Sequence, residues 1–264
     1  MFIDSHCHLD NPKLKKTVGE IIRESEENGV IAFVNSGYDL PSSLSGVEIA
    51  EKYSAVYTTV GIHPHDAQGV PEDYLLKLEE LVQKPKVVAL GEMGLDYYYQ
   101  FSPKEVQKEI FCQQLELAFS LKKPFVIHQR DAMGDMLEIL KRFPNPQYKG
   151  VFHCYSGSVE TAKELIKMGY MLSIAGPVTF KNAKKTVEVV KEIPLEYLLV
   201  ETDCPYLTPE PFRGKVNYPY YVKFVIDKIA EIKGISFDKV AYNTTKNSIN
   251  FFKLSIELNN NDNN

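Results

Sequence analysis

Eight short apolar runs, each followed by a stretch of helical period or by a loop, set the tightest limit on how this chain can fold. They are Phe2–Cys7, Ile31–Ser36, Val56–Ile62, Val87–Gly91, Phe125–His128, Val151–Cys154, Met171–Ala175 and Leu198–Glu201. Most are dense in β-branched or aromatic residues and several are continuously apolar, the pattern of strands buried on both faces of a parallel sheet. Between them, Thr17–Asn28 gathers Val18, Ile21, Ile22 and Ser25 on one face. Pro103–Leu121 follows Ser102, a cap before a first-turn proline, and carries Val106, Ile110, Leu117 and Leu121 on its apolar side. Ser158–Met168 and Asn182–Ile193 repeat the pattern. This alternation predicts an α/β fold of the (β/α)8 TIM-barrel type. A doubly wound open sheet is the alternative, but no GxGxxG follows any of the strands.

Tyr220–Ile232 reads as the closing helix, and Phe237–Leu254 as an extra C-terminal helix packed on the outside. No linker or internal repeat splits the chain, so residues 1–255 are expected to form a single domain. Residues 256–264, which run into LNNNDNN, form a low-complexity tail expected to be disordered. A hydrophobic content of 44% suffices for a large core. The net charge of −5 gives no global attraction to a polyanion, so any such binding must be local. No apolar run is long enough to suggest a membrane span, and MFIDSHCH does not read as a secretory signal. Four cysteines do not make a disulfide framework, which fits a reducing cytoplasm. Cys7, Cys154 and Cys204 sit beside candidate ligand positions. They read either as zinc thiolates or as small buried residues turned toward the helices, and strand alternation favours the second.

All six histidines fall in four motifs: DSHCHLD (His6, His8), GIHPH (His63, His65), FVIHQR (His128) and GVFHCYSG (His153). Each lies near the end of an expected strand. His6 and His8, two apart, face one side, with Asp4 on the same face as a possible supporting carboxylate. Glu92 closes the fourth strand, His128 the fifth and His153 the sixth, while Asp203 follows the eighth. Singly, Glu92 or Asp203 could be a cap and each histidine a satisfied core residue. Together, four imidazoles and two carboxylates at strand ends predict a site for two divalent ions, with Glu92 as the natural bridge. The ligand types leave zinc, magnesium and manganese open.

The same residues carry a family resemblance. From DSHCHLD through GIHPHDA, GEMGLDYY, PFVIHQRDA and GVFHCYSG to ETDCPYLTPEPFRG, the chain resembles the TatD-family metal-dependent hydrolases, a branch of the amidohydrolase-like barrels. The resemblance implies that His6, His8, Glu92 and Asp203 hold one ion, and that Glu92, His128 and His153 hold the other. It also implies deoxyribonuclease activity, described for the family as 3′ to 5′ exonuclease action, with DNA single strands or 3′ ends as substrate. Members often read RGKRNEP after the eighth strand. Here the segment is RGKVNYP, so Val216 and Tyr218 replace a base and an acid, which puts that loop's contacts in question.

Asp203 is placed to ligate a metal and to accept a proton from the attacking water. Glu201 reads either as a tuner of that transfer or as a buried partner of a basic residue. Two of the four arginines, Arg130 and Arg213, lie just past the fifth and eighth strands and suit phosphate, although either could pair with Asp131 or Glu210 instead. His63 and His65, flanking Pro64, exceed what two metal sites need and are expected to face substrate or to support the ligands. Lys181, Lys184 and Lys185 could bind phosphate or form a solvated face. Tyr97, Tyr98, Tyr99 and Phe101 could stack bases or cover the barrel. A metallohydrolase acting on an ester, lactone or amide is the alternative activity, since fold alone does not choose. A non-catalytic protein would be expected to lose a ligand, and none is missing. No protein partner is implied.

Overall fold

The computed structural model describes residues 1–143 and 150–258. The strands are β1 (Phe2–Cys7), β2 (Val30–Ser36), β3 (Val56–Val60), β4 (Val87–Asp96), β5 (Phe125–Arg130), β6 (Gly150–Phe152), β7 (Met171–Ile174) and β8 (Leu198–Val200). They form one eight-stranded sheet in chain order, the topology of a (β/α)8 barrel. The helices are α1 (Val18–Glu27), α2 (Leu40–Lys52), α3 (Tyr74–Val82), α4 (Lys104–Ser120), α5 (Met133–Lys141), α6 (Val159–Lys167), α7 (Lys184–Glu192), α8 (Val222–Lys233) and α9 (Phe237–Phe252). Among the described residues, no helix is long and apolar enough to cross a membrane. Of the tail, residues 256–258 have no regular secondary structure, and the remainder lies outside the described residues.

Backbone contacts divide the chain into two compact units. One runs from Met1 to Val34 and resumes at Cys154; the other is Asn35–His153.

In the first unit, β7 and β8 pair in parallel, Leu172 opposite Leu198 and Ile174 opposite Val200. The loop after β8 lies along β1, where Asp203 N–H donates to His6 O and His8 N–H donates to Cys204 O, both at 2.9 Å. α1 starts with a reciprocal cap between Thr17 and Glu20 and buries Ile21, Ile22 and Ser25. The expected extra helix is present as α9. Phe237 at its start meets Phe2 edge-on at 5.9 Å, and Asn247 donates to the carbonyls of Leu195 and Leu198 at 2.8 Å each. Helix and strand ends are thereby held in register at the base of β1 and β8.

In the second unit, β3, β4, β5 and β6 pair in parallel. β4 runs on to Asp96, five residues beyond the expected end at Gly91. Gly91 and Gly94 permit close approach between strands. A Cβ on Gly91 (φ +122°) would lie 2.5 Å from Val126 O, and one on Gly94 (φ +149°) 2.0 Å from His128 O. β5 likewise continues past His128 to Arg130.

Helix α4 begins one residue later than expected, and Ser102 does not cap it. Its hydroxyl donates to His65 O at 2.9 Å and accepts from Gln68 N–H at 3.0 Å, tying the loop after β4 to the loop after β3. The buried face of α4 also differs from the apolar one read from the sequence. It contains Gln107 and Gln114 beside Ile110, Phe111, Leu115 and Ala118, with Val106 and Leu117 only partly covered.

Candidate metal centre

In the first unit, β1 delivers His6 and the residue after it delivers His8, both buried. Asp203 adopts a left-handed conformation (φ +56°), which aspartate tolerates better than most residues. Its Oδ1 lies 3.3 Å from His8 Nε2 and 3.6 Å from His6 Nε2. The ligand atoms of all three residues fall within 4.8 Å of one another.

Asp4, a possible supporting carboxylate for the histidines, braces the β8 loop. Its Oδ1 accepts from Thr202 N–H at 2.9 Å and its Oδ2 from the Thr202 hydroxyl at 2.5 Å. Burial pushes its carboxyl up to about 8, with the Thr202 hydrogen bonds opposing that rise. Cys7 donates to Val34 O at 3.5 Å, and its thiol is pushed up by burial. Asp4, Cys7 and Cys204 form a second close group, but burial disfavours the ionised thiolate and carboxylate that a metal would need. The four cysteines are free thiols. Glu201 Oε1 accepts the backbone N–H of Cys154 at 2.7 Å, so it braces the turn after β6. In the RGKVNYP loop, buried Asn217 donates to Thr202 O at 2.9 Å and Tyr206 O at 2.6 Å. The loop is thus fixed through a residue that does not depend on Val216 or Tyr218. Arg213 lies over the Phe180 ring at 4.2 Å.

In the second unit, β4 carries Glu92, β5 carries His128, and His153 follows β6. Glu92 Oε1 lies 2.9 Å from His128 Nδ1, 2.8 Å from His153 Nε2 and 3.4 Å from His63 Nε2. His63 therefore joins the cluster rather than standing beside it. Burial lowers its pKa to about 4, with the neighbouring His128 adding to the fall, so the ring is neutral at physiological pH. Its Nδ1 accepts from His65 N–H at 3.2 Å, which leaves the ring proton on Nε2, facing Glu92. A neutral imidazole in that tautomer offers a hydrogen bond rather than a lone pair.

For His128, burial alone would lower the pKa, but hydrogen bonds to Asp96 and Glu92 outweigh it and the net shift is upward. Burial would raise Asp96, but the His128, His65 and Tyr99 hydrogen bonds hold its carboxyl well below the usual range.

Asp96 and its clamp were not legible as site residues. Asp96 Oδ2 lies 2.9 Å from His65 Nε2 and 3.2 Å from His128 Nε2, while Gln107 bonds both the amide and the carbonyl of Asp96, at 2.8 and 3.0 Å. The available signal was an acid inside GLDYY, one strand alternation beyond Gly94.

Arg130 lies over Tyr98 at 3.9 Å and Tyr99 at 4.7 Å. Tyr99 stacks on Phe101 at 5.4 Å, and both approach the His65 ring edge-on. Tyr97 is different: its hydroxyl donates to Asp135 Oδ2 at 2.6 Å. Lys181, Lys184 and Lys185 are exposed at the start of α7.

The model of the TatD related DNase family matches residues 3–253. The chain belongs to the TatD family. It is 46% identical over 255 residues to a Bacillus subtilis (strain 168) protein named uncharacterized metal-dependent hydrolase YabD, covering 97% of this chain and 100% of that one. It is 37% identical to the Escherichia coli (strain K12) uncharacterized metal-dependent hydrolase YcfH, covering 96% of each. The crystal structure of YJJV, a TatD homolog from Escherichia coli K12, superposes with a TM-score of 0.89 at 29% identity, covering 96% of this TatD chain and 98% of that one.

Each cluster suits a divalent ion by its donor set. Metal–ligand bonds of about 2.0–2.2 Å put neighbouring ligand atoms roughly 2.8–3.6 Å apart, from octahedral to tetrahedral angles. The spacings of 3.3 and 3.6 Å around Asp203 match the wide end of that range. Those of 2.8, 2.9 and 3.2 Å among Glu92, His153 and His128 lie near its short end.

Proposed function

We propose that this TatD-family metal-dependent hydrolase is a deoxyribonuclease, acting as a 3′ to 5′ exonuclease on single strands or 3′ ends of DNA. The observation that carries the reading is a pair of buried imidazole–carboxylate clusters in a chain whose residues 3–253 match a DNase family model. His6, His8 and Asp203 hold one ion; Glu92, His128 and His153 hold the other. Bound divalent ions lower the pKa of water toward neutrality and stabilise the oxygens of a phosphodiester, a role open to magnesium, manganese or zinc.

The protein's own groups supply the rest. Asp203 accepts the proton of the attacking water. His63, neutral and protonated on Nε2, donates toward Glu92 and steadies that carboxylate beside the substrate. Arg130 and Arg213 present forked donors suited to phosphate oxygens. Tyr98, Tyr99 and Phe101 are 58%, 49% and 65% exposed and offer faces on which unpaired bases can stack. His65, packed against Tyr99 and Phe101, shapes that platform. Four free thiols and no membrane-crossing helix among the described residues support a cytoplasmic location.

The test is metal-free protein restored with magnesium, manganese, zinc or cobalt and assayed on single-stranded DNA, duplex DNA, RNA and simple esters. Metal-dependent cleavage of DNA is expected. Ester, lactone or amide turnover without nuclease activity under any metal replaces the reading with a different hydrolase of the same fold.

A further inference from the structure

We infer that Asp96 is a positioning residue that fixes which nitrogen of His128 faces the metal. The inference rests on the reading of Glu92, His128 and His153 as ligands of one ion. The His128 ring stands between two carboxylates: its Nδ1 lies 2.9 Å from Glu92 Oε1 and its Nε2 lies 3.2 Å from Asp96 Oδ2. A histidine that binds a cation through one nitrogen must carry its proton on the other, and an acceptor at that second nitrogen selects the tautomer. Asp96 is that acceptor, so Nδ1 is the ligand atom.

Asp96 is built to stay in place. It is fully buried, and four donors converge on its side chain. Oδ2 lies 3.2 Å from His128 Nε2 and 2.9 Å from His65 Nε2, placed to accept a proton from each; Oδ1 receives Tyr98 N–H and Tyr99 N–H, both at 2.9 Å. That is the full capacity of an ionised carboxylate. The main chain of Asp96 is clamped on both sides by Gln107, which also donates to Ser102 O at 2.8 Å. One side chain therefore sets the orientation of a metal-facing imidazole, the GIHPH loop through His65 and the start of the aromatic loop through two amides. Removing its charge reaches all three.

Asp96→Asn is the informative change because it keeps shape and volume. Its carbonyl oxygen can still accept from Tyr98 and Tyr99, but its amide then faces two imidazoles that need an acceptor. The His128 proton is driven to Nδ1, where the ion belongs. Zinc titration of the metal-free protein should show two ions in the wild type. In the variant one site should weaken by about 10–100-fold, the usual cost of losing a group that orients a ligand, while the site of His6, His8 and Asp203 is unchanged. In the zinc-loaded wild type, nitrogen NMR of the ring should show Nδ1 bound to metal and Nε2 carrying a slowly exchanging proton.

Two equally tight sites in Asp96→Asn, or zinc on Nε2 of His128 in the wild type, overturn the role of Asp96. The wild-type NMR result decides the matter even where the variant does not fold. A wild type that takes up only the ion of His6, His8 and Asp203 overturns the underlying ligand reading instead, and is told apart by its stoichiometry.

Discussion

Gln114 holds Ile62 by both of its main-chain groups: its Oε1 accepts from Ile62 N–H at 2.8 Å and its Nε2 donates to Ile62 O at 3.0 Å. Ile62 immediately precedes His63, so a buried amide on α4 fixes the backbone that aims that ring. Gln107, seven residues earlier on the same helix face, does the same for Asp96. Gln114→Leu conserves volume but leaves a buried amide and carbonyl without these partners. At about 1–3 kcal/mol for each of the two groups, the expected loss is roughly 2–6 kcal/mol. Urea unfolding measures it, and an unchanged midpoint contradicts the clamp.

Asp203→Ala removes both a proposed ligand and the proposed proton acceptor. The turnover number should fall by at least about 10²–10⁴-fold, while the far-ultraviolet spectrum stays native because the bond that ties this loop to β1, from Asp203 N–H to His6 O, is main-chain and survives the substitution. A variant that turns over near the wild-type rate rules out the role assigned to Asp203.

Legibility in the sequence followed residue chemistry. His6, His8, Glu92, His128, His153 and Asp203 stood out because ionisable groups inside apolar strands are costly unless used. β1 ended where the apolar run ended. β4 did not, because Gly91 and Gly94 look like a turn and serve instead to let two backbones touch. Helix α2 was hidden in LPSSLSG, a segment rich in turn residues. Its start depends on a reciprocal bond between Asp39 and Ser42, and its buried face holds Ser42, Ser43 and Gly46. Gln107 and Gln114 were illegible for a related reason. A glutamine on a helix reads as solvated until the loops that it serves are folded over it.

Tyr98, Tyr99 and Phe101 expose large ring areas beside Arg130, whereas Tyr97 is engaged by Asp135. Alanine at Tyr98, Tyr99 and Phe101 together should raise the KM for single-stranded oligonucleotides by roughly 10-fold or more, at about 1–3 kcal/mol per stacked base. Thermal stability should change little because the rings are exposed. Steady-state kinetics on an oligonucleotide checks this, and an unaltered KM removes the rings from substrate binding.

Asp135 accepts from Lys108 Nζ at 2.7 Å and from the Tyr97 hydroxyl at 2.6 Å, and these bonds, Lys108 first, hold its pKa below the ordinary value of 3.8. A carboxylate depressed in the folded state binds fewer protons there than in the unfolded chain. Its contribution is therefore complete above pH 3.8 and disappears as pH falls through the lower folded value. Asp135→Asn should be less stable than the wild type at neutral pH, with the difference closing under acid. Denaturant midpoints from neutral pH down to strong acid test it, and a gap that widens on acidification has the wrong sign.

The proposed activity is metal-dependent removal of nucleotides from a DNA 3′ end. A 5′-labelled single-stranded oligonucleotide, incubated with metal-restored protein and resolved on a sequencing gel, measures this directly. The expected result is a ladder that shortens stepwise from the 3′ end, vanishes with chelator and is absent for Asp203→Ala. An intact oligonucleotide with every metal, from protein that hydrolyses a simple ester or amide under the same conditions, contradicts it.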